Sequence, residues 1–191
     1  VDALYRLARA GVRVPEPFGC FDGVLLMELI TDENGDVAPR LSEVSMSEAQ
    51  AHEDHAQVMH YVMCMLNAGL VHGDLSEFNV LVDQDGPVII DLPQAVDAAA
   101  NNNAFAMLER DVKNMTDYYG LFAPALLDSH YAQEIWTLYE NAELHPDLKL
   151  TGHFDMPTEL ADVDSVMLEI KAALAEEESR KERLREAEAE D

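Results

Sequence analysis

Val71-His72-Gly73-Asp74-Leu75-Ser76-Glu77-Phe78-Asn79-Val80-Leu81 is followed by an acidic turn and then by Val88-Ile89-Ile90-Asp91. An Asp, an Asn five residues later and a third acid closing an apolar run supply three oxygen groups with separable tasks. Phosphoryl transfer needs little covalent help, so positioning and charge neutralisation dominate. Asp74 is suited to orient a hydroxyl or water as base. Asn79 and Asp91 are suited to magnesium, which takes hard oxygen ligands from one or two side chains and completes its octahedron with water and phosphate. Singly, each residue has an ordinary explanation: a loop Asp forms turns, an Asn caps a bend, and His72 is a satisfied structural histidine. The combination points to function.

Outward from this stretch, Asn79–Val82, Asp83-Gln84-Asp85-Gly86 and Val88–Ile90 read as a β-hairpin, so Asn79 and Asp91 flank its open end. Upstream, Val58, Met59, Val62, Met63 and Leu66 recur at helical spacing. Ser45 or Ser47 starts that helix, each with Glu48 or Gln50 three residues on, and Asn67-Ala68-Gly69 closes it. Residues 1–10 read as a helix end stopped by Gly11, Val12–Pro17 as extended, and apolar Val24–Met27 as a strand buried on both faces or covered by a partner layer. Thr31–Asp36 is turn-rich. Downstream, a helix from about Asn103 carries Phe105, Leu108, Val112 and Met115, and another spans His130–Glu143. The last pattern, from Thr158, becomes charged nearly all round.

At the loop residues the chain resembles the RIO family of atypical serine/threonine protein kinases. His72-Gly73-Asp74-Leu75-Ser76-Glu77-Phe78-Asn79 is similar to that family's catalytic loop, and Ile90-Asp91-Leu92-Pro93-Gln94 to its metal-binding loop. Leu4–Arg9 and Val14-Pro15-Glu16-Pro17 resemble the end of its αC helix and the following strand, Met27–Ile30 its hinge, and Leu108–Val112 the helix after the metal loop. The resemblance implies an α+β fold: a mainly helical, kinase-like C-terminal lobe with a short β-hairpin carrying the metal site. It divides the chain into residues 1–30 (helix end, strand and hinge of a truncated N-lobe), 31–157 (C-lobe) and 158–191 (acidic helix or tail). It implies ATP and Mg2+ as cofactors, Asp74 as catalytic, Asn79 and Asp91 as metal ligands, backbone groups of Glu28 and Ile30 on adenine, and Leu81 and Ile90 as apolar floor. Transient phosphorylation of Asp91, as in members acting as ATPases, is implied as well, with plain metal coordination as the alternative. The phosphoryl acceptor is then a protein or other hydroxyl, and a ribosome-assembly partner follows from the resemblance alone. Some features of the compact form resemble a bacterial branch.

Asp91-Leu92-Pro93 is not Asp-Phe-Gly, and no long activation segment follows it. The phosphate-covering Gly-rich loop, the strand lysine and its glutamate partner are absent, and the chain opens at Val1 inside a helical pattern. The expectation is a cut N-terminal boundary and a segment inactive by itself. A small-molecule phosphotransferase of the aminoglycoside or choline kinase type competes, but Ser76-Glu77-Phe78 and Leu92-Pro93 fit it poorly. A non-catalytic, partner-binding lobe is the other reading.

Asp and Glu outnumber Lys and Arg 38 to 12, which disfavours a nucleic-acid binder, since phosphate contacts come from cations. Cys20 and Cys64 show no metal or disulfide spacing, and no apolar run spans a bilayer, so a reduced, cytoplasmic protein without a membrane segment is expected. His52-Glu53-Asp54-His55 misses the H-E-x-x-H zinc pattern because position 56 is Ala, which leaves a solvated helical face. Met59, Met63 and Met65 read as core fillers.

Overall fold

Leu4 and Leu7 share one face of α1 (Asp2–Arg9) and are buried, while the basic side chains of the last turn oppose the helix dipole. The computed structural model describes residues 2–154. The acidic helix or tail expected at 158–191 lies outside the described residues. Gly11 adopts φ +81°, and the N–H groups of Gly11 and Val12 reach back to the carbonyls of Ala8 and Leu7 at 3.2 and 3.1 Å. That pair of bonds satisfies the last carbonyls of α1 and turns the chain into an extended run.

β1 (Pro17–Phe21) and β2 (Val24–Met27) form an antiparallel ribbon. Asp22 and Gly23, with φ of 50° and 81°, make the tight turn whose twist suits a two-residue hairpin. The expectation that Val24–Met27 is covered is corrected: Val24, Leu26 and Met27 are exposed, because a two-stranded ribbon has no second layer over it among the described residues. The Asp22-Gly23 pair is the sequence signal for this hairpin.

α2 (Glu48–Asn67) is capped by Ser47, whose hydroxyl accepts the Gln50 N–H at 3.2 Å; Ser45 lies outside the helix. Gly69, at φ +75°, ends the turn that follows α2 and feeds β3 (Leu70–Val71). β3 pairs antiparallel with β6 (Val96–Asp97). Between them, β4 (Val80–Asp83) and β5 (Gly86–Ile89) make the expected hairpin, with Val80 opposite Ile89 and Asp83 opposite Gly86. Arg13 braces its turn with a two-nitrogen contact to Asp83, 2.7 Å for Nη1. Burial pushes the Asp83 carboxyl up, but the guanidinium outweighs it and holds that group below the ordinary carboxylate range.

α3 (Ala104–Gly120), a 3-10 turn at Pro124–Asp128 and α4 (Tyr131–Glu140) complete the helical part. Met59, Met63, Leu66, Leu108, Met115, Tyr119 and Ile135 are fully or nearly fully buried in one apolar cluster. The methionines do act as core fillers, while Phe105 stands only partly buried and stacks against Trp136, 5.4 Å between ring centres.

The solvated face expected around His52–His55 holds for His52 and Glu53, which are exposed, and is corrected for Asp54 and His55. His55 has no exposed surface and Asp54 only 5%. α3 packs against this side of α2: His55 Nε2 lies 3.0 Å from Thr116 Oγ1, and the ring meets Tyr119 and Tyr131 edge-on. Burial, then the neighbouring His52, lowers the His55 pKa from 6.5 to about 4. A depressed folded value favours the neutral ring, so the stability this group contributes is present above pH 6.5 and is lost as pH falls towards 4. The gap of 6.5 minus 4 corresponds to a loss on the order of 3 kcal/mol. Denaturant melts across that range should show this extra acid sensitivity in the native chain and not in a His55→Gln variant.

Candidate active site

The loop between β3 and β4 leaves the core at His72, which is 2% exposed. His72 Nε2 lies 3.0 Å from the carbonyl of Ile90, and Nδ1 lies 3.3 Å from the backbone N–H of Asp74. Nδ1 can accept that N–H only if it carries no proton, so the ring donates through Nε2 and is neutral in this arrangement. His72 therefore has the structural role expected of it, tying the Asp74 loop to the residue before Asp91.

Gly73 adopts φ +82°, and a Cβ there would lie 2.9 Å from the carbonyl oxygen of Gln94. Glycine is required for both reasons: the left-handed backbone and the close approach of the two loops. From below, Asp111 of α3 accepts the N–H groups of Gly73 at 2.7 Å and Leu75 at 3.0 Å, one on each oxygen. Burial raises the Asp111 pKa, opposed by those two N–H groups and then by the Arg110 charge. Two donated N–H bonds match a carboxylate, which is acceptor-only. Arg110 donates to the Gly73 carbonyl, and the Asn114 amide to the Leu75 carbonyl at 3.1 Å. On the far side, Arg40 donates to the Phe78 carbonyl at 3.1 Å. Asp74 itself is half-buried, its carboxylate touched by the Gln94 amide at 3.2 Å.

Asn79 is 9% exposed and its Nδ2 donates to the Asp74 carbonyl at 2.8 Å. With the nitrogen committed, Oδ1 is the atom left for a cation. The Ile90 N–H donates to the Asn79 carbonyl at 3.0 Å, so Asn79 and the residue preceding Asp91 are hydrogen-bonded neighbours at the open end of β4–β5. Asp91 is exposed with φ +65°, a left-handed conformation that a non-glycine residue holds at a cost of ~1–3 kcal/mol and that clusters at functional sites. Among the described residues no three His, Cys, Asp or Glu side chains group as a metal cluster.

The segment after β2 presents complementary backbone groups. The Glu28 N–H is used by the Glu16 carbonyl at 2.8 Å, and the Ile30 carbonyl by the Ala38 N–H at 3.0 Å. The Glu28 carbonyl and the Ile30 N–H have no partner among the described residues, leaving one acceptor and one donor two residues apart. Ile30 and Leu81 pack together with Ala38 and Val88. Ile90 instead lines a cavity of about 250 Å3 with Leu4, Leu25, Met27, Asp91 and Leu92. The structure thus brings Asp74, Asn79 and Ile90–Asp91 together around one laced pair of loops, and divides the apolar candidates between two neighbouring patches.

Asp111, Arg110, Asn114, Arg40 and Gln94 were not picked out as site residues from the sequence. Asp111 carried a signal: it follows Leu108 by three and precedes Met115 by four, an acid on the buried stripe of an amphipathic helix.

The sequence profile of the RIO domain family matches residues 1–132. The chain is 42% identical over 116 residues to the RIO-type serine/threonine-protein kinase Rio1 of Haloferax volcanii, covering 61% of this chain and 39% of that protein. It is 38% identical over 117 residues to the human serine/threonine-protein kinase RIO1, covering 61% of this chain and 20% of that one. Rio1 of Thermoplasma acidophilum is 35% identical over 116 residues, or 61% of this chain and 59% of the relative. The chain therefore spans less than two thirds of the length of each of these relatives.

Proposed function

The chain belongs to the RIO domain family, and on that premise we propose that it carries the magnesium and acceptor side of an ATP-dependent site that phosphorylates serine or threonine hydroxyls of a protein. The observation that carries this reading is the lacing of Asp74, Asn79 and Ile90–Asp91 by the His72, Asn79 and Ile90 hydrogen bonds. Asp74 accepts the proton of, or orients, the attacking hydroxyl. Asn79 Oδ1 and Asp91 are hard oxygen donors at one hairpin end, the set that magnesium prefers. Bound Mg-ATP supplies the transferable phosphoryl group with its charge partly neutralised. The Glu28 carbonyl and Ile30 N–H pair with the adenine edge, and Leu81 and Ile90 contribute apolar floor. A cytoplasmic setting is part of the same proposal; among the described residues no helix is long and apolar enough to cross a membrane, and Cys20 and Cys64 are unpaired.

Mg-ATP binding, followed with a fluorescent ATP analogue, tests the reading both in the 191-residue chain and in the longest natural protein that contains it. Asp91→Ala should weaken binding in magnesium about 10- to 100-fold, the loss of a charged ligand being worth about 1.5–3 kcal/mol, and leave magnesium-free binding unchanged. Affinity indifferent both to magnesium and to Asp91→Ala would overturn the assignment.

A further inference from the structure

The geometry points to Gln94 as a positioning residue for Asp74, a role that rests on the phosphoryl-transfer reading above and extends it to the way the two loops cooperate. Gln94 Nε2 lies 3.2 Å from Asp74 Oδ2, and Gln94 is the one side chain among the described residues that hydrogen-bonds this carboxylate. A carboxylate end rotates with little preference when nothing holds it. A donor on Oδ2 fixes its plane and leaves Oδ1 for the incoming hydroxyl.

The donor's own position is set by the loop that holds Asp91. The Ala95 N–H closes onto the Leu92 carbonyl at 3.0 Å, folding Leu92–Ala95, directly after Asp91, into a tight turn. The Gln94 carbonyl packs directly over Gly73, where a Cβ would come within 2.9 Å. Gln94 therefore touches the residue before Asp74 through its backbone and Asp74 itself through its side chain. The orientation of Asp74 depends on the conformation of the loop carrying Asp91, so that engagement of Asp91 and alignment of the acceptor are coupled through one amide.

Two substitutions separate positioning from packing. Gln94→Ala removes the donor; Gln94→Glu keeps length and shape but sets an acceptor and a like charge against Asp74. In the longest natural protein containing the chain, kcat should fall about 10- to 100-fold in Gln94→Ala, the scale of a misplaced reacting group, and further in Gln94→Glu. The KM for ATP and the affinity for Mg-ATP should stay within about twofold, since neither change touches Asn79 or the hinge. A purely structural role predicts the opposite order, with the shape-preserving Glu the milder change. Unchanged kcat in Gln94→Ala, or Glu milder than Ala, would overturn the proposal.

A spectroscopic arm decides the matter even if the parent protein transfers no phosphoryl group, in which case the functional reading itself has failed. The side-chain amide resonances of Gln94 in the 191-residue chain should sit away from those of a free glutamine and collapse towards them in Asp74→Ala. Resonances that Asp74→Ala does not move would show that the contact is not made in solution.

Discussion

Asp74→Ala is expected to lower phosphoryl transfer by about 10²- to 10⁴-fold, the range in which a positioned acid–base group contributes, without disturbing the fold or Mg-ATP binding. The separation is possible because the backbone of Asp74, not its side chain, holds the loop. Its N–H meets His72 Nδ1 and its carbonyl accepts the Asn79 amide, and both bonds survive truncation at Cβ. The carboxylate gives up only the Gln94 contact, and being half-buried it leaves no sealed cavity behind. Single-turnover transfer, Mg-ATP affinity and a denaturant melt, measured side by side, test this. Turnover within about threefold of the native value would remove Asp74 from the chemistry. A parallel loss of stability would instead make it a structural residue.

What the sequence made legible was local. The end of α1 at Gly11, the Ser47 cap and the β4–β5 hairpin each depend on residues within a few positions of one another, and their hydrogen bonds form as those patterns require. Asn79 and Asp91 could be placed at one hairpin end because β4 and β5 are joined by a short turn, although that turn is Gln84-Asp85 and Asp83 and Gly86 pair as the last residues of the strands. The remainder depends on partners distant in the chain. Asp111 reaches Gly73 and Leu75 across 38 and 36 positions, and no spacing rule links an acid on a later helix to two loop amides. β6 is two residues long and is defined only by β3. Burial of Asp54 and His55 follows from the face that α3 and α4 lay against α2, which is why half of an apparently solvated tetrapeptide is core while His52 and Glu53 stay exposed. Exposure of Val24–Met27 has the same origin: an apolar run states that a strand can be covered, not what covers it.

The support beneath the loop leads to the largest stability effect. Asp111→Ala should lower unfolding stability by about 3–5 kcal/mol, because it strips the acceptor from two N–H groups, Gly73 and Leu75, in a setting where Asp111 is 2% and Leu75 0% exposed. Each buried donor left without a partner costs about 1–3 kcal/mol, and bonds to a charged acceptor lie at the upper end. Arg110 and the Asn114 amide nitrogen are donors, already directed at the carbonyls of the same two residues. Asp111→Asn retains one acceptor oxygen but turns an NH2 group towards the second N–H, so it should fall between the native chain and Asp111→Ala. Lys113→Ala is the control: its pair with Asp117 is exposed and on the same helix, and such pairs are worth less than about 0.5 kcal/mol. Denaturant melts of the three variants give the order. Amide hydrogen exchange locates the cause, with protection lost at Gly73 and Leu75 before the rest of the core. If Asp111→Ala proves no more costly than Lys113→Ala, the loop is held by its remaining bonds, and the carboxylate beneath it contributes nothing measurable.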